Sequence, residues 1–148
     1  MSDVVNRPFS FYLLAGIMLF QGLSGILGGI GLVGDPSGKS LQIPLEWLEG
    51  SPFNNYLIPG IILLIILGAG PVIVFVGLIR KLTWAWYGAL LISIGLIIWI
   101  LVEIIIIGYH HKPPLQLIYG LTGIIMLFLT LVPSVRSYLY NENTRRKD

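Results

Sequence analysis

The chain has no cysteine in its 148 residues, so disulfides, thiolate metal sites and thiol redox chemistry are excluded together. Charge is scarce as well: only 11% of the residues are Asp, Glu, Lys or Arg. Internal repeats, low-complexity tracts and Pro-rich linkers are also missing. What fills the chain is apolar. Four stretches, Phe9–Val33, Leu57–Ile79, Leu82–Ile107 and Leu115–Val132, hold about two thirds of it. A nearly uncharged run of about 18 or more residues is long enough to cross a bilayer as a helix. The mean hydropathy of +0.87 argues against a water-soluble fold. The expected class is therefore all-α, an integral membrane four-helix bundle in one domain spanning residues 1–148, with no room in its loops for a separate soluble catalytic domain. The first apolar run is too long for a signal h-region and lacks an Ala-x-Ala site, so it reads as a retained helix.

The few charges are unevenly placed. With the four runs taken as consecutive crossings, Arg7, Arg80, Lys81, Arg136, Arg145, Arg146 and Lys147 fall on one side, and only Lys39 and Lys112 on the other. Basic residues accumulate in cytoplasmic loops. Both termini are therefore expected in the cytoplasm, with the protein in the cytoplasmic (inner) membrane and 133–148 as a cytoplasmic tail whose polar end, from Asn141, frays. The longest loop, 34–55, then lies outside. Within it Pro44 to Gly50 reads as a short interfacial helix, with Pro at its start and Gly just past its end. Leu41, Ile43, Leu45, Trp47 and Leu48 are too apolar for a free loop and are expected on the membrane surface or over the helix ends.

Inside the spans three features stand out. Gly68-Ala69-Gly70-Pro71 sits mid-span, and Pro71 lacks an N–H, so a kink is expected there, with Gly70 and Pro71 as the candidate hinge. In the first span Gln21, Ser24, Gly25, Gly28 and Gly29 form a small-residue packing face, serving either the chain's own helices or a second copy. Glu103 is the only ionisable residue inside any span. A charge in hydrocarbon costs about 2.5–3.5 kcal/mol on insertion scales, so something must offset it. Groups at similar depth make up a candidate polar pocket of Glu103, Tyr119, Gln116, Tyr56 and Trp99. The carboxyl is expected to hydrogen-bond Tyr119 or Gln116. A proton-binding carboxyl open to the outside is the functional alternative.

Two apparent motifs fail on inspection. Val33-Gly34-Asp35-Pro36-Ser37-Gly38-Lys39-Ser40 approaches a phosphate-binding loop, but Val33 stands where the first Gly belongs and no strand precedes it, so no nucleotide is expected. His110 and His111 are adjacent, without metal-ligand spacing, so no metal is expected. Nor does anything in the sequence call for a cofactor or for nucleic acid. The expected partners are the lipid bilayer and either a second copy or another membrane protein.

The segments Pro44 to Gly60, Trp99 to Gly108 and Pro114 to Gly120 resemble a set of uncharacterised small prokaryotic four-helix membrane proteins. The overall organisation is also similar to DoxX-like four-helix proteins. These resemblances imply a bundle and assign no residue roles. Other small membrane families fit poorly. Oxidoreductases resembling vitamin K epoxide reductase need a Cys-x-x-Cys pair. Small multidrug transporters carry a central Glu in helix 1, where this chain has Gln21. Fluoride channels carry Arg and Asn within the spans. The sequence thus favours a non-enzymatic accessory, interaction or small-ligand-binding protein. A proton-coupled transporter or channel using Glu103 stands second, and a membrane lipid enzyme third.

Overall fold

A computed structural model describes residues 8–145. Among them the secondary structure is helical throughout, with no strand. Five helices follow in order: α1 (Phe9–Gly34), α2 (Leu57–Ile79), α3 (Trp84–Ile107), α4 (Leu115–Leu131) and α5 (Pro133–Arg145). The first three, with 26, 23 and 24 residues, are long and apolar enough to cross a membrane. α4 has 17 residues, and α4 and α5 meet at a bend of 56°. α1 packs along α2 in the most extensive contact, α2 on α3, α3 on α4, and α4 returns to α1. Leu14, Met18, Leu67, Leu78, Leu96 and Met126 fill the interior of this arrangement. Its exterior is apolar too: Leu27, Leu91, Ile105 and Phe128 are each at least two-thirds exposed. A soluble monomer rarely shows so much apolar surface, and a lipid-facing helix must.

Local chemistry sets the helix boundaries. Asn55 Oδ1 accepts the Leu57 N–H (3.0 Å), meeting one of the unpaired donors that open α2. At the far end of α2, Leu82 N–H bonds Gly77 O (2.9 Å) and Lys81 N–H bonds Leu78 O (2.8 Å), a Schellman closure. Lys81 takes the left-handed conformation there (φ 56°), which costs a residue with a Cβ about 1–2 kcal/mol. This closure draws Leu82 and Thr83 into the turn, so α3 opens at Trp84 rather than at the expected Leu82. Val132 is extended because a following proline disfavours the helical region, and α4 stops at Leu131. Pro133 then starts α5, whose first helical position needs no N–H.

α5 corrects the reading of 133–148 as a tail. Val135, Tyr138 and Leu139, spaced i, i+3, i+4, are buried, and the Tyr138 ring packs edge-on against Phe11 of α1 with centroids 4.9 Å apart. The expected frayed end from Asn141 is helical through Arg145, and residues 146–148 lie outside the described residues. The interfacial helix also comes out tighter than expected. It is a single 3-10 turn, Leu45–Leu48, preceded by another at Lys39–Leu41.

The mid-span proline has a local consequence and a partner. An α-helix would bond the Pro71 N–H to the Leu67 carbonyl, and proline has no N–H to give. Just before it the backbone widens into a π turn over Ile65–Ala69. Gln21 of α1, 1% exposed, donates from Nε2 to that same Leu67 carbonyl at 3.3 Å. The helices are close enough for this because of glycine. A Cβ on Gly25 would fall on the Leu67 carbonyl oxygen, and one on Gly29 on the Leu64 backbone. Gly28 is looser, meeting only the Leu63 side chain, and Ser24 turns its hydroxyl onto the Gln21 carbonyl within α1 (3.0 Å). The small face of α1 therefore packs against α2 of its own chain.

Candidate functional site

The functional candidates gather at one end of the molecule, where the 34–55 and 108–114 loops meet. α3 ends at Gly108, whose φ of 77° favours glycine. This turn aims the Gly108 carbonyl at the first turn of α4, where Gln116 Nε2 donates to it at 3.0 Å. Gln116 is 4% exposed and fully engaged. Its Oε1 accepts the His110 N–H (2.8 Å), and Nε2 also reaches Glu103 Oε1 at 3.4 Å. Gln116 thus ties the end of α3, the following loop and the start of α4 together, and still holds the carboxyl.

Glu103 lies one helical turn before Gly108 and is partly buried. The Trp99 indole, four residues earlier on the same face of α3, lies at the same carboxyl within reach of a hydrogen bond. His110, in the loop that follows α3, also stands near the Glu103 carboxyl. Tyr56, at the start of α2, is 6% exposed and stands close enough to feel the Glu103 charge. Burial, with that charge adding to it, pushes the Tyr56 phenol up to about 12.

Above this group the two loops form a roof. The Tyr56 hydroxyl donates to the Pro44 carbonyl at 2.7 Å, and Tyr56 N–H donates to Pro36 O at 2.9 Å. Leu48 is buried with Leu32 and Tyr56, and Ile43 and Phe53 pack around them. Trp47 lies over the His110 ring, with centroids 3.9 Å apart and planes inclined by 34°. The long loop is therefore joined to the short one across the top of α3. The Asp35 turn stiffens its other half. Asp35 accepts from the Ser37 hydroxyl (2.6 Å), the Ser37 N–H (3.1 Å) and the Ser40 N–H (2.9 Å). These bonds, the Ser37 hydroxyl first, hold its carboxyl below the usual range. The near-miss to a phosphate loop is thus a turn closed on its own carboxylate.

Of the sequence candidates, Glu103, Gln116, Trp99 and Tyr56 come together here. Tyr119 does not join them. Its ring faces α1 and stacks on Phe20 with centroids 6.5 Å apart. The Trp47–His110 contact is an addition that the sequence reading missed, because nothing local connects two loops so distant in the chain. The small-residue face and the Gly70–Pro71 step lie away from this end, in the α1–α2 contact. Chemically, the site offers one carboxyl with donors on two sides, lined by aromatic rings and closed above by loops. Among the described residues, no second carboxylate stands beside it. Compared with known proteins, the chain matches no family model, and no similar protein is found among curated proteins or solved structures.

Proposed function

We propose that this chain is a non-enzymatic four-helix protein of the cytoplasmic membrane that binds a small ligand at Glu103, beneath its outer loops. The observation that carries this reading is the roof itself: Trp47 seated on His110 and Tyr56 bonded to Pro44, with His110 and Tyr56 both near the Glu103 carboxyl. Intramembrane ionisable residues are kept at a cost and tend to mark sites. The fourth crossing is α4, continued through the bend into α5. The basic loop at Arg80–Lys81 and both termini lie in the cytoplasm, and the roof lies outside. A ligand here would present a hydrogen-bond donor or a positive charge to Glu103 and an apolar body to Trp99 and Tyr56. The resemblance to small prokaryotic four-helix membrane proteins agrees with the architecture and adds no ligand.

The reading is tested by purifying wild-type and Glu103→Gln protein and identifying small molecules that accompany each. A compound retained by the wild type and lost from the variant is the expected result. Identical extracts, with equal hydrogen exchange at Leu45–Leu48 in wild type and Trp47→Ala, would remove both ligand and roof. The π turn in α2 at Ile65–Ala69 favours a second reading, proton-coupled transport through Glu103. Sealed vesicles holding a pH-sensitive dye decide it: a proton leak present in wild type and absent in Glu103→Gln would establish transport.

A further inference from the structure

The opposite end of the molecule carries a second arrangement, built around Arg136 of α5. Its guanidinium lies 5.0 Å from the centre of the Trp86 ring and 5.8 Å from that of Tyr140. Trp86 is itself fixed: its indole N–H donates to the Thr130 carbonyl at 2.8 Å, and Tyr87 packs edge-on against it at 5.0 Å. The Tyr87 and Tyr140 hydroxyls lie within reach of each other, closing an aromatic cluster across α3 and α5. Arg136 is exposed, and among the described residues no carboxylate or carbonyl takes its N–H groups. Stacking uses the faces of a guanidinium and leaves its in-plane donors free, and that fork matches two oxygens of a phosphate.

The surroundings match a negative partner at the membrane surface. Arg80, Lys81, Arg136 and Arg145 all belong to this end. The acidic residues Asp35, Glu46, Glu49 and Glu103 belong to the other, while Glu142 follows on α5 itself. Lys81 keeps a left-handed backbone that glycine would adopt at lower cost, and its ammonium lies 5.3 Å from the centre of the Tyr138 ring. α5 turns off the axis of α4 by 56° and buries Val135, Tyr138 and Leu139 inward, which leaves Arg136 and Tyr140 outward. Trp and Tyr at the end of an apolar helix mark headgroup depth.

We propose that Arg136, oriented by Trp86 and Tyr140, binds the phosphodiester of an anionic lipid in the leaflet at this end. Trp86 and Tyr140 are positioning residues, and Arg80 and Lys81 add long-range attraction. The test uses the full chain in detergent, titrated with phosphatidylglycerol or phosphatidylcholine and followed by native mass spectrometry and thermal unfolding. Wild type should bind phosphatidylglycerol about tenfold more tightly than phosphatidylcholine, whose choline cation offsets the charge of the same phosphodiester and is repelled by the basic surround. Affinity for phosphatidylglycerol should fall in Arg136→Lys, fall further in Arg136→Gln and hold in Lys39→Gln at the opposite end. Arg136→Lys keeps the charge and tests the fork even if Arg136→Gln fails to fold. Equal affinities for the two lipids in wild type, or an undiminished affinity for phosphatidylglycerol in Arg136→Lys, would overturn the proposal. So would inorganic phosphate that reproduces the thermal shift, since the site would then take a free anion.

Discussion

At the scale of single residues, Glu103 and Tyr56 carry the sharpest consequences. The Glu103 carboxyl meets donors from Gln116 and lies at the Trp99 indole. In Glu103→Gln an amide oxygen can take over most of these contacts, and thermal unfolding in detergent should change little. Glu103→Leu leaves buried donors without an acceptor and should cost about 1–3 kcal/mol. Equal unfolding temperatures for wild type, Gln and Leu forms would mean that the carboxyl has no bonded partner. Tyr56 gives a pH signature. Its phenol is raised from 10.0 to about 12, so the folded state favours the protonated form. Its contribution to stability is fully present below pH 10 and is lost as pH rises toward 12. Tyr56→Phe should remove that alkaline dependence, read as unfolding temperature against pH. A variant with an unchanged alkaline limb would place the dependence elsewhere. Sequence made Glu103 conspicuous, as the one charge in a run of apolar residues. It could not separate Gln116 from Tyr119, which share a face at i, i+3 and lie at similar depth. The sharp turn at Gly108 decides between them by swinging the His110 backbone and the Gly108 carbonyl onto Gln116, while Tyr119 finds Phe20.

At the scale of elements, the α1–α2 contact brings two sequence oddities together. Gln21 is a polar group in mid-span and Pro71 a missing donor, and they meet at the Leu67 carbonyl. Association in lipid relies on close packing, because lipid tails supply no hydrophobic drive. Gly25→Ala, which puts a methyl on the Leu67 carbonyl oxygen, should therefore separate the helices and destabilise the protein by about 1–3 kcal/mol, as overpacking does. Gly16→Ala on the same helix meets nothing within 4 Å and should be neutral, or stabilising by up to about 1 kcal/mol through helix propensity. Matching losses of unfolding temperature in the two variants would deny the close contact. The apolar helices were legible because a long hydrocarbon-compatible run leaves few alternatives. α5 was hidden because its three buried residues are diluted among polar ones, and their burial depends on Phe11, over a hundred positions away in the chain. The 3-10 turn at Leu45–Leu48 was placed by its flanking Pro44 and Gly50, but four residues are too few for a period to distinguish it from an α-helical turn.

At the scale of the whole molecule, the two ends differ in chemistry. One joins an acidic residue, His110 and two loops beneath a roof, and the other gathers basic and aromatic side chains on α5 and the Arg80–Lys81 turn. The proposed function requires the roofed end to face outward and α4 to cross the membrane, so that residues 40 and 137 lie on opposite sides. The absence of native cysteine makes this directly measurable with single introduced thiols. Ser40 and Ser137 are both exposed, one at each end. In intact cells, an impermeant thiol reagent should label Ser40→Cys at once and Ser137→Cys only after the membrane is permeabilised. Labelling of both in intact cells would mean that α4 does not cross. Labelling of Ser137→Cys alone would turn the protein over, place the roof in the cytoplasm and contradict the proposed outward site.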